Sequence, residues 1–443
     1  MNRKIQIIIL LIGCAAISSP LMAQRNSTDS LIKNLQARVK IYPDDYAGFD
    51  NLGAAYLQKG RETGDAAYYE LAKAALGKSL DLVSNDPAAV SAMTHMGVAC
   101  MAEHRFGDAL AWAQNAIALG SGDPSPWAIA GDALADMGDY AGAAEAYSKL
   151  QRPQGSEGER RAISYERESR MSFLRLIAGD TQGAIQLMSS ALNTSMETHM
   201  PAENIAWSQY QLGEELLQTG KIAAAERAYL AALDEYPGYY RALAGLGKVR
   251  ATQGRYSDAA DLLEKAFTVV PYPEYAAALG DIYQKIGQPE EAQKQYELVD
   301  FIGHLSEVNQ QIHNRDLALF YADHELKLEQ SLTLARKELE VRRDVYTWDV
   351  LAWSLFKNGK FDEAAGAIED ALAQETPDPM IFFHTGMIYE RLGDSAKAKT
   401  YLERALEINP HFHIFYAGTA TTTLARLVSN PSDVNREEAS DAH

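Results

Sequence analysis

Several things are scarce in this 443-residue chain, and each scarcity excludes a class. Cysteine occurs only at Cys14 and Cys100. Cys14 lies in an apolar leader, so the rest of the chain has one thiol and cannot close an internal disulfide. Cys100 falls at a helix packing position and reads as a buried thiol. Proline is sparse, with 15 residues, and many of them stand at the ends of repeating units. Positive charge is short: 41 Lys and Arg face 60 Asp and Glu, a net charge of −19. Non-specific binding of nucleic acid needs a basic surface, which excludes that partner class. An anionic membrane leaflet is a poor partner for the same reason. The longest apolar run, Ile5 to Ile17, is shorter than the roughly 20 residues of a membrane-spanning helix.

Catalytic signatures are missing as well. Gly245-Leu246-Gly247 lacks the third glycine of a dinucleotide loop and sits inside a helical pattern. His324-Glu325 has no second histidine at Lys327 or Leu328, as a metalloprotease helix requires. His411-Phe412-His413 offers two imidazoles without a third ligand. No nucleophile, base and oxyanion donor can be placed together. The chain reads as a non-enzyme with no cofactor and no metal site.

What is present is a repeat. Leu212-Gly213 is followed by Ala225, Tyr229, Ala232 and Pro237. Leu246-Gly247 is followed by Ala259, Leu263, Ala266 and Pro271, and Leu279-Gly280 by Ala292 and Tyr296. The first step is 34 residues and the second 33. A period of this size marks a solenoid and resembles the tetratricopeptide repeat (TPR). Each unit predicts two helices. The small residue at unit position 8 allows close approach, with Ala at 20 and 27 and a large residue at 24 opposite it. Gly220, Gly254 and Gly287 stand where the first helix must end in a left-handed residue. The fold class is therefore an all-α solenoid of helix-turn-helix units, in the TPR case a right-handed superhelix, with nine to ten repeats.

In chain order, residues 1–23 read as a signal peptide: Arg3 and Lys4, an apolar stretch, then Leu21-Met22-Ala23 as a cleavage site. The rival reading is lipidation at Cys14, since Leu11-Ile12-Gly13-Cys14 resembles a bacterial lipobox. Residues 24–43 read as a polar linker followed by a capping helix, and 44–410 as the repeats, irregular near 152–202 and 303–342. Residues 411–428 form a capping segment and 429–443 a disordered tail. The expected location is the periplasm or cell envelope of a Gram-negative bacterium, or a membrane tether through Cys14, with no transmembrane segment in the mature chain.

The stretches Leu279–Tyr283, Leu317–His324, Asp349–Phe356, His384–Ile388 and Asn409–Phe412 resemble a family of bacterial TPR proteins, usually exported or surface-linked. The resemblance spans about residues 45–415. It implies an all-helical repeat protein and no established activity. Chaperone-tail receptors among TPRs need Lys and Asn where the first repeat has Asp50 and Ala54, so that role is excluded. Other proteins or peptides are the expected partners, which makes the chain an envelope scaffold. The alternative is a periplasmic protein that binds a metal or small ligand. TPR grooves are lined by positions 2, 5, 9, 12 and 13 of each first helix. Near the end of the array that rule gives Tyr346, Asp349, Trp353, Phe356, Phe383, Met387 and Glu390, an aromatic cluster expected to anchor a partner.

Overall fold

The structure is a computed structural model that describes residues 20–83, 86–120, 122–152, 154–308 and 314–429. Most of the leader, Cys14 and residues 430–443 of the tail lie outside these. Among the described residues there are α-helices and no strand. A first helix, α1 (Pro20–Ile41), leads into ten hairpins. They are α2 (Tyr46–Thr63) with α3 (Ala67–Val83), α4 (Val90–Ala102) with α5 (Phe106–Ala118), α6 (Ser125–Asp136) with α7 (Tyr140–Ser148), and α8 (Glu157–Ile177) with α9 (Thr181–Glu197). Next come α10 (Ala202–Gln218) with α11 (Ile222–Glu235), α12 (Tyr240–Thr252) with α13 (Tyr256–Val269), and α14 (Pro273–Lys285) with α15 (Pro289–Val308). The array finishes with α16 (Asn314–Asp323) and α17 (Leu328–Leu339), α18 (Val345–Lys357) and α19 (Phe361–Leu372), α20 (Pro379–Leu392) and α21 (Ser395–Ile408), then α22 (Tyr416–Ser429).

The hairpins close as the spacing predicts. A Cβ on Gly213 would sit 2.5 Å from the Tyr229 ring, and one on Gly280 2.3 Å from Tyr296. Only glycine lets the ring at position 24 lie flat on the first helix. Ala225, Ala232, Ala259 and Ala266 are wholly buried between neighbours.

Three boundaries differ from the sequence reading. Residues 24–30 are helical rather than a linker, because nothing after Pro20 breaks α1, and proline at a helix start is favoured. Thr28 is buried there and donates to Glu62 (2.8 Å), while Asp29 pairs with Lys59 (2.7 Å). Within the stretch read as irregular near 152–202, Ser156 forms a capping box with Glu159 and starts α8. At the end of that same stretch only residues 198–201 separate helices, because α9 runs on to Glu197 and α10 starts at Ala202.

The winding of the array was not foreseen. Hairpin turns of the first half touch the chain about five to six hairpins further on. Arg343 N donates to Asp136 O (3.0 Å), and Arg342 pairs with Asp136 (3.1 Å). Val345 N donates to the Tyr140 hydroxyl (3.0 Å), Thr376 Oγ1 to Ile177 O (2.8 Å), and Asn409 Nδ2 to Leu217 O (3.2 Å). The solenoid thus lays its second turn directly on its first. The turn glycines divide accordingly. Gly138 (φ 83°) and Gly220 (φ 72°) are left-handed, and a Cβ on them would lie 2.4 Å from Arg343 O and 2.1 Å from Ile408 O. Gly254 is also left-handed (φ 72°), but its Cβ would meet open space.

Both Gly220→Ala and Gly254→Ala carry the left-handed penalty of about 1–2 kcal/mol. Only the first also forces the two layers apart. Urea unfolding should show a clearly lower midpoint for Gly220→Ala than for Gly254→Ala. Equal midpoints would mean that the layers are not in contact.

Candidate functional site: a cleft between two turns

The concave side of the array carries a repeating interaction. The acid at position 9 accepts the hydroxyl of the tyrosine fifteen residues later. Tyr147 donates to Asp132 (2.9 Å), Tyr229 to Glu214 (2.6 Å) and Tyr296 to Asp281 (2.9 Å). Each acid also bonds a basic side chain from the first helix of the next hairpin in the chain. Arg170 of α8 grips Asp132 with two bonds, at 2.8 and 3.0 Å. Lys248 of α12 reaches Glu214 (3.3 Å), and His324 of α16 reaches Asp281 (2.7 Å). Burial alone would lower the affinity of His324 for its second proton. Asp281 on one ring nitrogen and the Phe320 carbonyl on the other outweigh burial and hold it above its usual value. His324 therefore holds its second proton more tightly than a free imidazole and faces Asp281 in the groove.

The aromatic groove expected at the end of the array is closed. Trp353 and Phe383 are 2% and 1% exposed, and Asp349 is 6% exposed. The Trp353 indole stacks on His384 (4.1 Å) and Phe356 (4.9 Å) and donates to Asp323 (2.8 Å). Asp349 is bound by the fully buried His384 (2.9 Å). Tyr416 stacks on Phe383 (4.8 Å), with Phe412 beside it (5.6 Å). Glu390 pairs with Arg426 of α22 (2.6 Å). Tyr346, Phe356 and Met387 are half-buried. The physical reason is the capping segment. A terminal helix must cover the last repeat, and Phe412 and Tyr416 use these aromatic rings to do it.

The open space lies elsewhere, in a cleft of about 720 Å³ between the two turns. One wall holds positions 9, 12 and 13 of three middle repeats, including Glu214, Leu217, Lys248, Ala251, Asp281 and Lys285. The other wall is the start of α20 with Asp378 and Met380, then Pro410 to Ile414, then Ala417 and Gly418 of α22. The walls are pinned at both ends. Gln218 donates to Asp378 (3.1 Å), and Lys285 to the Ile414 carbonyl (3.1 Å). Burial, with Asp349 nearby, pushes the Asp378 carboxyl up to about 6, although it caps α20 through two amides. The groove-position rule applied to the middle repeats would have found the first wall. Nothing in the sequence places the second wall opposite it.

The tetratricopeptide repeat profile matches residues 210–273 and 350–411, and a second profile of the same repeat matches 273–300. The chain is a TPR protein. No curated protein matches it. Among solved structures, a TPR protein from Parabacteroides merdae is 17% identical, with a TM-score of 0.35, over 60% of this chain and 99% of its own. Yeast Tom70 is 11% identical, with a TM-score of 0.37, over 96% and 97%. MamA is 21% identical, with a TM-score of 0.31, over 40% and 96%. TPR arrays generally mediate protein–protein interactions, and among the described residues no helix is long and apolar enough to cross a membrane.

Trp353→Ala should behave as a core truncation in this TPR array, costing about 3–5 kcal/mol. It should cost more than Trp348→Ala, whose ring is only half-buried. The reverse order in urea unfolding would restore the open aromatic groove.

Proposed function

We propose that this TPR protein is an exported scaffold that holds a segment of a partner protein in the cleft between its two turns. The observation that carries this reading is the cleft itself. It is concave, mainly apolar and furnished with a few convergent polar groups, as binding sites commonly are. The acids on its first wall are already engaged by tyrosines and cations, so they fix its shape and leave its apolar surface to a partner. Export rests on the leader: Arg3 and Lys4, the apolar stretch and Ala23.

A small-ligand carrier is the second reading, supported by the cleft's volume of about 720 Å³. For a metal the support is thinner. Among the described residues no three of His, Cys, Asp or Glu are grouped to hold one, and His413 Nδ1 is already bound to backbone amides.

Ala251→Trp would fill the cleft from α12, while Leu230→Trp places the same indole at an exposed site on α11. Capture of a partner from envelope extract should fall at least about tenfold for the first and stay unchanged for the second, equivalent to roughly 1.4 kcal/mol. Wild-type capture by Ala251→Trp would place the partner elsewhere. Mass spectrometry of the mature protein tests export: a start at Gln24 is expected, lipid on Cys14 would indicate a tether, and an intact Met1 would exclude both.

A further inference from the structure

Access to the cleft depends on how residues 409–429 are held, and few of their side chains are fully buried. Of α22, only Ala420 and Thr423 are buried. One fastener is Tyr416, whose hydroxyl donates to Asp323 (2.9 Å) while its ring lies on Phe383. Tyr416 is also the first residue of α22. The amides that open a helix have no partner within it. Here His413 supplies one: its Nδ1 accepts from the amides of Phe415 and Tyr416, both at 3.3 Å, and its ring stacks on Tyr416 (4.5 Å).

An imidazole nitrogen accepts a hydrogen bond only while it carries no proton. A protonated Nδ1 would face two N–H groups and lose both bonds. The new cation would also sit at the positive end of the helix dipole. The residue losing its register is Tyr416, which fastens the segment to Asp323 and Phe383.

The charged groups facing His413 come from three helices. Asp281 and Lys285 lie on α14, Asp323 and His324 on α16, and His384 on α20. Burial comes first and disfavours the cation, and His384 and His324 add to it. Asp323 and Asp281 oppose them without reversing the sign, so His413 stays below its usual value.

We propose that residues 409–429 form an acid-released latch, in which protonation of His413 frees the segment and opens the cleft to a partner. This rests on the cleft being the binding site. The sign follows from the neutral docked form. Because His413 titrates lower when docked than when free, docking is favoured above about pH 6.5 and weakens as pH falls through the docked value.

Hydrogen exchange on the full chain tests the latch without any partner, so its outcome is separate from that of the Ala251→Trp comparison. Rates are corrected for the intrinsic effect of pH. Between about pH 7.5 and about pH 5.5, residues 411–424 should lose roughly tenfold in protection while α4 to α6 stay unchanged. His413→Asn keeps an acceptor for the two amides but cannot titrate, so its protection should be flat with pH. His413→Lys has no acceptor and should be unprotected at both values. The proposal is overturned by flat protection in the wild type, by a wild-type response in His413→Asn, or by a protected His413→Lys.

Discussion

The contact between a hairpin turn and the carbonyls of the layer above it sets the shape of this solenoid. At Gly138 and Gly220 the backbone must be left-handed, and it must also come closer to Arg343 O and Ile408 O than any side chain would allow. The two demands select glycine together. Their consequence is that the groove does not run open along its length. The second turn sits on the first, and the cleft between them has one wall built from the start of α20 and the C-terminal segment.

The acids of the concave surface have a related role. Asp132, Glu214 and Asp281 each join a tyrosine from their own hairpin to a cation from a later first helix. Those three-part contacts fix the angle between successive hairpins, and so the pitch at which the layers meet. They also place charge in a confined space, where a buried or half-buried pair is screened less by salt than a surface pair. A groove whose charges are already mutually satisfied offers a partner its shape and apolar surface first.

The hairpins were legible because the signal is local. Gly213 and Tyr229, or Gly280 and Tyr296, lie within one unit, and a period of 33 or 34 residues exposes them. The acid at position 9 and the tyrosine fifteen residues on were also visible as a pair, although their hydrogen bond was not anticipated. The burial of the expected aromatic groove was not legible, for the opposite reason. Trp353 and Phe383 do occupy groove positions, but whether such a position is open depends on what a terminal segment does. Phe412 and Tyr416 have no periodic relation to the rings they cover. The contact of Gly220 with Ile408 joins residues far apart in the chain, and no pattern within a repeat encodes it. Polar stretches misled at a smaller scale: residues 24–30 read as a linker by composition, yet the unbroken run after Pro20 continues as helix.

The account stands on the second turn lying against the first in solution. Double electron–electron resonance between spin labels at the exposed positions Lys221 and Glu407 measures that contact most directly, since the two flank the meeting of Gly220 and Ile408. The account predicts one narrow distribution at the short end of the method's range. A broad distribution at long distance would show an open superhelix, with neither a cleft between the turns nor a wall for the C-terminal segment to form.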